Sequence, residues 1–300
     1  MGVISGGSGG GGGGAVILRV NGLYGTSISA TLGSKTVSGT IPYAGVLELS
    51  LGKVGQWTVK ATSGSYSFTQ QVKAFTYGIT EIWALAKKAF YDCTTTEIQA
   101  IAKSGMYKQY WSIGDYHKIT MTDGEEIEVA IADFNHDIKS NGEIAPLTLV
   151  MKNCFNTKRT QDAHYETGWA NVTFRTSTIP SILDTFPSDW QSIMTPVKKK
   201  TANTQNSSIL TETTDTLWLL SQIEVFGDST QSPAGEGTVY PVFSDDTSRK
   251  KTVKNVASPW FLRSFYGPDQ GYKCSVGDYG NRGYQRATES SGICLGFCVG

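Results

Sequence analysis

Alternation of hydrophobic and polar positions dominates the chain from Ala15 to about residue 77. Four short segments carry the alternation, beginning at Val16, Leu47, Trp57 and Tyr66, and glycines lie between them. Because successive side chains of a strand point to opposite faces, this pattern predicts half-buried β-strands. Short strands separated by turn residues indicate a small, all-β, Ig-like sandwich over residues 15–77.

A helical pattern follows the alternating segments. Thr94 and Glu97 have the spacing of a capping box, Ile98 and Ile101 begin an apolar stripe, and Gly105 is placed to end the helix. We therefore expect residues 78–104 to be a helical connector into a second domain.

The second domain, residues 105–300, mixes the two periodicities. Asp123-Gly124 is a favoured two-residue hairpin turn between alternating segments, and residues 147–151 read as another strand. Residues 179–186 have the i, i+3, i+4, i+7 spacing of an amphipathic helix, and residues 215–226 are apolar enough to be buried. Helices set among antiparallel strands predict an α+β fold class for this domain.

Residues 1–14 are nearly all glycine after the first few positions. A segment without side chains to bury is typical of a flexible leash, and the other interpretation is an arm that orders against a partner subunit. The start of the chain lacks the basic residues and apolar core of a signal peptide, so no signal peptide is expected. No apolar run is long enough to suggest membrane insertion.

Charge and cysteine content exclude several classes of function. Lys and Arg together number 26, as do Asp and Glu, so the net charge is zero and a nucleic-acid partner is not expected. The five cysteines include no CxxC pair, which argues against a zinc site or a disulfide framework. We expect no cofactor and no bound metal.

Candidate catalytic residues are few. The three histidines are His117, His136 and His164, and the sequence does not bring any of them to a nucleophile and an orienting acid. Acidic residues alternate over 133–137, but Ile138 and Ile144 occupy positions where an EF-hand needs Gly and Glu. A looser cation site and a hydrogen-bonded structural loop both stay open for this segment.

Two basic triplets, residues 198–200 and 249–251, are interpreted as solvated edges because the total charge is neutral. Four tryptophans of the second domain are spread widely and are expected in the core, with stacking on a sugar as the alternative for one of them. These tryptophans are Trp169, Trp190, Trp218 and Trp260.

Five segments of the second domain resemble a domain family common in phages of Firmicutes and in bacterial surface proteins. The family looks like a C-type-lectin-type fold, similar to the formylglycine-generating-enzyme-like group, and the resemblance covers about residues 105–300. The segments are WSIGDYHKITM (111–121), IADFNHD (131–137), TDTLWLLSQIEVFG (214–227), SPWFLRS (258–264) and GICLGFCV (292–299). The sandwich and the glycine arm also look like modules of phage virion proteins.

In a fold of this type the last strand lies within the sheet and closes the domain. Ile293 and Phe297 would then face one side, and Cys294 and Cys298 the other, two strand steps (~7 Å) apart and unbonded. Reactive cysteines near the chain end are used in formylglycine-generating chemistry, but these two lie in an apolar strand. We therefore expect no enzyme and no catalytic residue.

Residues 265–290 are rich in Tyr, Gly, Asp, Asn and Arg and are not expected to form core. Their composition resembles that of antibody paratopes, and the fold resemblance implies ligand contact in the same region. An irregular, solvated loop without a partner is the alternative. The predicted ligand-binding residues are Tyr266, Asp269, Gln270, Tyr272, Lys273, Asp278, Tyr279, Asn281, Arg282, Tyr284, Gln285 and Arg286.

Together these features predict a phage virion protein, made in the host cytoplasm, that binds a host-surface saccharide or protein. The arm and the sandwich would contact other virion proteins, and several copies of the chain would form a homo-oligomer. The alternative is a capsid decoration or head-fibre protein that displays the lectin-like domain.

Overall fold

A computed structural model describes residues 15–63, 66–75, 77–84, 88–163, 168–204, 209–266 and 271–300. The chain divides into two compact units, one that ends at Lys87 and one from Lys88 to Gly300. The predicted glycine arm, residues 1–14, lies outside the described residues.

The first unit consists of two β-sheets. One sheet has the strand order β4-β1-β7 and the other β3-β2-β5-β6, and Leu18, Val20, Trp57 and Val59 are buried in the core. The sandwich-like arrangement follows from the alternation, because every second residue of β1 and β5 is buried. The strands are β1 Val16–Asn21, β2 Ser27–Leu32, β3 Lys35–Thr40, β4 Val46–Ser50, β5 Gly55–Ser63, β6 Tyr66–Ala74 and β7 Gly78–Trp83.

The predicted end of the sandwich at residue 77 is wrong, because β7 belongs to it. This strand pairs in parallel with β1, from Val16 opposite Gly78 to Asn21 opposite Trp83. The segment lies within residues 78–104, which the sequence predicts to be a helical connector. A parallel partner more than sixty residues earlier leaves no local signal in the sequence.

The second unit is mixed helix and sheet, with more strand than helix. Its largest sheet has the order β11-β20-β10-β9-β8, with β14 also paired to β20, and a second sheet has the order β17-β18-β19. The pairs β12-β13 and β15-β16 are separate hairpins. The elements are α1 Thr95–Ser104, α2 Tyr107–Tyr110, β8 Tyr116–Thr120, β9 Glu126–Phe134, β10 Leu147–Met151, α3 Ile179–Leu183, α4 Ser188–Ile193, β11 Met194–Thr195, β12 Val197–Ala202, β13 Leu210–Asp215, β14 Trp218–Leu219, α5 Gln222–Phe226, α6 Asp246–Arg249, β15 Thr252–Val253, β16 Val256–Ala257, β17 Trp260–Phe265, β18 Tyr272–Val276, β19 Arg282–Arg286 and β20 Leu295–Val299.

Several local predictions are confirmed in this unit. Thr94 and Glu97 form the reciprocal capping box of α1, and Gly105 ends the helix in the left-handed region. The predicted helix over 179–186 is present as a π-helical turn, Phe174–Thr178, that continues into α3. The β8-β9 hairpin also forms, but the predicted two-residue turn is wrong: Met121 donates its N–H to Glu125 O, so three residues close the loop.

The end of the chain lies in the middle of the largest sheet. Strand β20 pairs with β10 on one side and with β11 and β14 on the other, and every residue of β20 is buried. Cys294 and Cys298 are free, buried thiols, as the alternation predicts. The last strand is therefore anchored in the core of the second unit.

Candidate functional site

Three tyrosines and an arginine meet on one face of the β17-β18-β19 sheet, and we call them the tyrosine cluster. The rings of Tyr266 and Tyr284 are stacked with centroids 4.3 Å apart, and Tyr272 meets Tyr284 edge-on at 5.3 Å. Arg286 donates its Nε–H to the Tyr272 hydroxyl at 3.3 Å, and Tyr284 is 51% exposed. The cluster offers ring faces and hydroxyl groups to a ligand. Because its side chains already contact one another, they lose little conformational entropy when a ligand binds.

The strand register explains why these side chains meet. Tyr272 lies opposite Arg286, and Cys274 lies opposite Tyr284, so the four side chains share one face. Tyr266 joins them because its N–H donates to Tyr272 O at 3.1 Å just beyond β17.

The β18-β19 turn extends the same sheet into solvent. Tyr279 is 72% exposed at the tip, Asn281 is exposed, and Asp278 is half-buried. Gly280 has a φ of +86°, which L-residues with a side chain rarely adopt.

Two guanidinium groups flank the half-buried Phe226 beneath the turn. Arg282 lies 4.7 Å and Arg249 4.8 Å from the ring centroid, and Arg282 also forms an ion pair with Asp228. Arg282 therefore links the β17-β18-β19 sheet to Phe226 of α5 and to Asp228, two contacts that composition did not indicate.

Other predicted binding residues lie elsewhere. Asp269 and Gln270 are outside the described residues, and Gln285 is half-buried on the opposite face of the sheet. The prediction that Lys273 binds a ligand is corrected, because its side chain is buried on that opposite face. Its Nζ lies 3.3 Å from the Phe265 ring centroid. Burial lowers the pKa of Lys273 to about 7.

The expectation that residues 265–290 form no core is also wrong. Strand β18 is the central strand of its sheet, and the residues from Lys273 to Val276, which point to alternate faces, are all buried. Hydrogen bonds from the Cys274 thiol to Gln222 Oε1 and Phe265 O show how polar this interior is.

A network of buried charges connects β12, α5 and β17. Arg263 donates to both carboxylate oxygens of Glu224, at 2.5 and 2.9 Å. Lys199 donates to Glu224 at 3.0 Å and to Tyr240 at 2.8 Å, and it also pairs with Asp137. Burial alone would raise the pKa of Glu224, but the charges of Arg263 and Lys199 lower it to about 2.

The interpretation of residues 198–200 as a solvated edge is wrong for Lys199. In β12 every second residue faces inward, so Val197, Lys199 and Thr201 are buried while Lys200 is exposed. The alternation of Val197 and Thr201 around Lys199 was the available signal. Lys251 in the other triplet is buried as well.

A cavity of about 380 Å³ opens above this network and is lined in part by His136 and Thr238. His136 Nδ1 lies 2.7 Å from Asp133 Oδ2, and its Nε2 lies 2.9 Å from Thr238 Oγ1. The Asp137 carboxylate binds Lys199 and Tyr240 instead, so the two acids of this loop serve different partners. These contacts agree with a hydrogen-bonded structural loop, which is one of the two alternatives stated for residues 133–137.

The four tryptophans expected in the core are buried, so none presents its ring to solvent for stacking on a sugar. Within the described residues, no group of three or more His, Cys, Asp and Glu side chains is arranged to hold a metal ion. The same part of the chain contains no helix with the length and hydropathy needed to cross a bilayer.

Comparison with known proteins identifies one family. Its model, described as "Domain of unknown function (DUF6273)", matches residues 147–299, which is just over half of the chain. The match includes β10, the buried network from Lys199 to Arg263, the tyrosine cluster and β20. Neither the curated proteins nor the solved structures yield a match.

Proposed function

The chain belongs to the DUF6273 family, and we propose that it is a non-catalytic phage virion protein that attaches to the host surface. In this proposal the first unit is an Ig-like module, and the second is a C-type-lectin-like domain that binds a host saccharide or protein.

The observation that carries the proposal is the tyrosine cluster together with the β18-β19 turn. Tyr284 and Tyr279 are 51% and 72% exposed, and the ring of Tyr284 is grouped with those of Tyr266 and Tyr272 on one sheet. The aromatic rings of the cluster with Arg286 beside them, together with the polar turn that carries Tyr279 and Asn281, match the chemistry of saccharide and protein recognition, in which rings supply contact area and polar groups supply direction.

The first unit and the glycine-rich arm would attach the protein to other virion proteins. Several copies on one particle then raise the effective concentration of each binding face, so that individually weak sites hold a cell firmly. The buried network and the anchored β20 support this role, because a rigid scaffold lowers the entropy lost on binding.

The decisive experiment measures binding of the purified protein to host cells. Replacement of Tyr272, Tyr279 and Tyr284 by alanine should reduce the cell-bound amount at least about tenfold, because exposed aromatic side chains dominate such interfaces. The matched control replaces Tyr24, Tyr43 and Tyr77 of the first unit, which are 59%, 84% and 63% exposed. Unchanged binding by the first variant, with its circular dichroism intact, would overturn the proposal.

A capsid decoration or head-fibre protein would have the same arrangement of an attachment unit and a displayed domain. Imaging of the assembled particle distinguishes that role from host attachment. Density for this chain at the tail tip supports host attachment. Density spread over the capsid shell supports the decoration or head-fibre alternative.

In this proposal the hydrogen bonds that join Asp133, His136 and Thr238 are structural, although a hydrolytic triad also joins an acid, a histidine and a hydroxyl group in this order. The His136 ring packs 4.4 Å from Tyr240, whose hydroxyl binds Lys199 and Asp137, so the series continues the buried network toward the surface.

We therefore expect p-nitrophenyl acetate to be hydrolysed at the buffer rate in the presence of the protein. A rate above that of buffer that disappears in Thr238→Val, with the thermal unfolding temperature unchanged, would contradict a non-catalytic function.

A further inference from the structure

A second cavity of the second unit has an unusual charge. It has a volume of about 310 Å³ and is lined by residues from β9, β10 and the segment 242–251. Its described lining includes Lys152, Lys250 and Lys251 but no aspartate or glutamate. Lys152 is neutralised by Glu128, which lies 3.0 Å away and outside the lining. The other two lysines leave the cavity positive.

Lys251 lies buried in this cavity, at 4% exposure. Its Nζ donates to Met151 O at 2.8 Å and lies 5.4 Å from the centroid of the Phe243 ring. No carboxylate of the described residues forms an ion pair with it. An ammonium group has three N–H donors, so two are left for something that enters the cavity.

Comparison with Lys199 shows what is missing. Lys199 is equally buried but forms ion pairs with both Asp137 and Glu224. A buried charge is costly unless it is paired and hydrogen-bonded, and the chain meets this requirement for Lys199 with its own residues. For Lys251 the described residues supply no such carboxylate, so its charge is open to a counter-charge that enters the cavity.

The remaining lining suits an anionic group attached to an apolar one. Asn153 accepts the Thr252 N–H at 3.1 Å through Oδ1, which leaves its NH2 group as a donor. Thr247 adds a hydroxyl group at the exposed rim, while Val242 and Phe243 supply apolar surface.

We propose that this cavity is a binding site for a carboxylate or phosphate group, with Lys251 as its buried cation and Lys250 at its rim. The anion replaces water around Lys251 Nζ and accepts its two remaining N–H donors. The site is distinct from the tyrosine cluster, so the proposal does not depend on host attachment.

The test uses the full chain and three probes, phenyl phosphate, benzoate and neutral benzyl alcohol, with affinity measured by calorimetry. We expect at least one of the two anions to bind and benzyl alcohol not to bind. Lys251→Met should weaken the anion at least about tenfold, since a charge-assisted hydrogen bond to a buried cation is lost. The anion that binds more tightly identifies phosphate or carboxylate as the natural group.

Two further variants keep the test decisive. Lys250→Met should weaken the same anion by a smaller factor, because Lys250 is exposed, and Lys158→Met, an exposed lysine outside the cavity, should bind like the wild type. Lys251→Met should also unfold at a temperature no lower than that of the wild type, because an unpaired buried charge is removed. Failure of both anions to bind, or equal affinity in Lys251→Met, overturns the proposal.

Discussion

Replacing Arg263 by methionine should lower the free energy of unfolding by about 3–5 kcal/mol. Arg263 is fully buried, and its guanidinium donates to both oxygens of Glu224, to Thr201 Oγ1 and to the carbonyl oxygens of Leu219 and Glu236. Methionine fills a similar volume but removes these five hydrogen bonds and leaves Lys199 as the one buried cation of the described residues that pairs with Glu224. The cost is that of an uncompensated buried charge, which exceeds the loss of packing.

The matched control is Lys198→Met, on the strand that carries Lys199. Lys198 pairs with Glu212 at 3.4 Å, but both side chains are largely exposed, at 37% and 45%. We expect this change to cost less than about 1 kcal/mol, because solvent screens an exposed pair. Urea unfolding at pH 7 measures both variants, and similar losses in the two would contradict the assignment of Arg263 to a buried network.

The same network predicts a pH dependence. The folded-state pKa of Glu224, about 2, lies below its ordinary value of 4.5. Its contribution is therefore fully present above pH 4.5 and is lost as the pH falls from 4.5 toward 2. Arg263→Met should lose less stability over this interval than the wild type does, because the charge that lowers the pKa has been removed.

Local signals in the sequence were sufficient for elements that are stabilised by neighbours along the chain. The capping box of Thr94 and Glu97 and the left-handed Gly105 both belong to one helix. The apolar sequence of β20 was also sufficient to predict a buried strand. Strand β7 was missed because its stability comes from parallel pairing with β1. Periodicity is a local property of a segment, whereas the secondary structure of β7 depends on a partner strand that is distant in the sequence.

The candidate site shows the same division. Composition correctly placed Tyr279 and Tyr284 at the surface, since neither has the apolar neighbours needed for burial. It failed for Lys273, because the burial of both faces of β18 depends on residues that pack on the sheet from elsewhere in the chain. The buried charges of Lys199 and Lys251 were missed for a related reason. The sequence of a basic triplet predicts solvent exposure, and only the fold shows which of its members points inward.

Replacing Gly280 by alanine should destabilise the protein by at least about 3 kcal/mol. A Cβ at this position would lie 1.9 Å from Asp246 O and 2.7 Å from the Asp246 carbonyl carbon. These are backbone atoms, so the contact cannot be relieved by turning a side chain. The β18-β19 turn would have to move away from α6, and the hydrogen bond from Arg249 Nε to Gly280 O, now 3.2 Å, would break.

Gly124→Ala isolates the contact from the backbone strain. Gly124 has a φ of +89°, close to the +86° of Gly280, but nothing lies within 4 Å of the Cβ it would acquire. Alanine in the left-handed region costs about 1–2 kcal/mol at either position. The difference between the two variants in urea unfolding therefore measures the contact with Asp246. Equal losses would mean that the turn is free to move, and a turn free to move would not hold Tyr279 in a fixed position for a ligand.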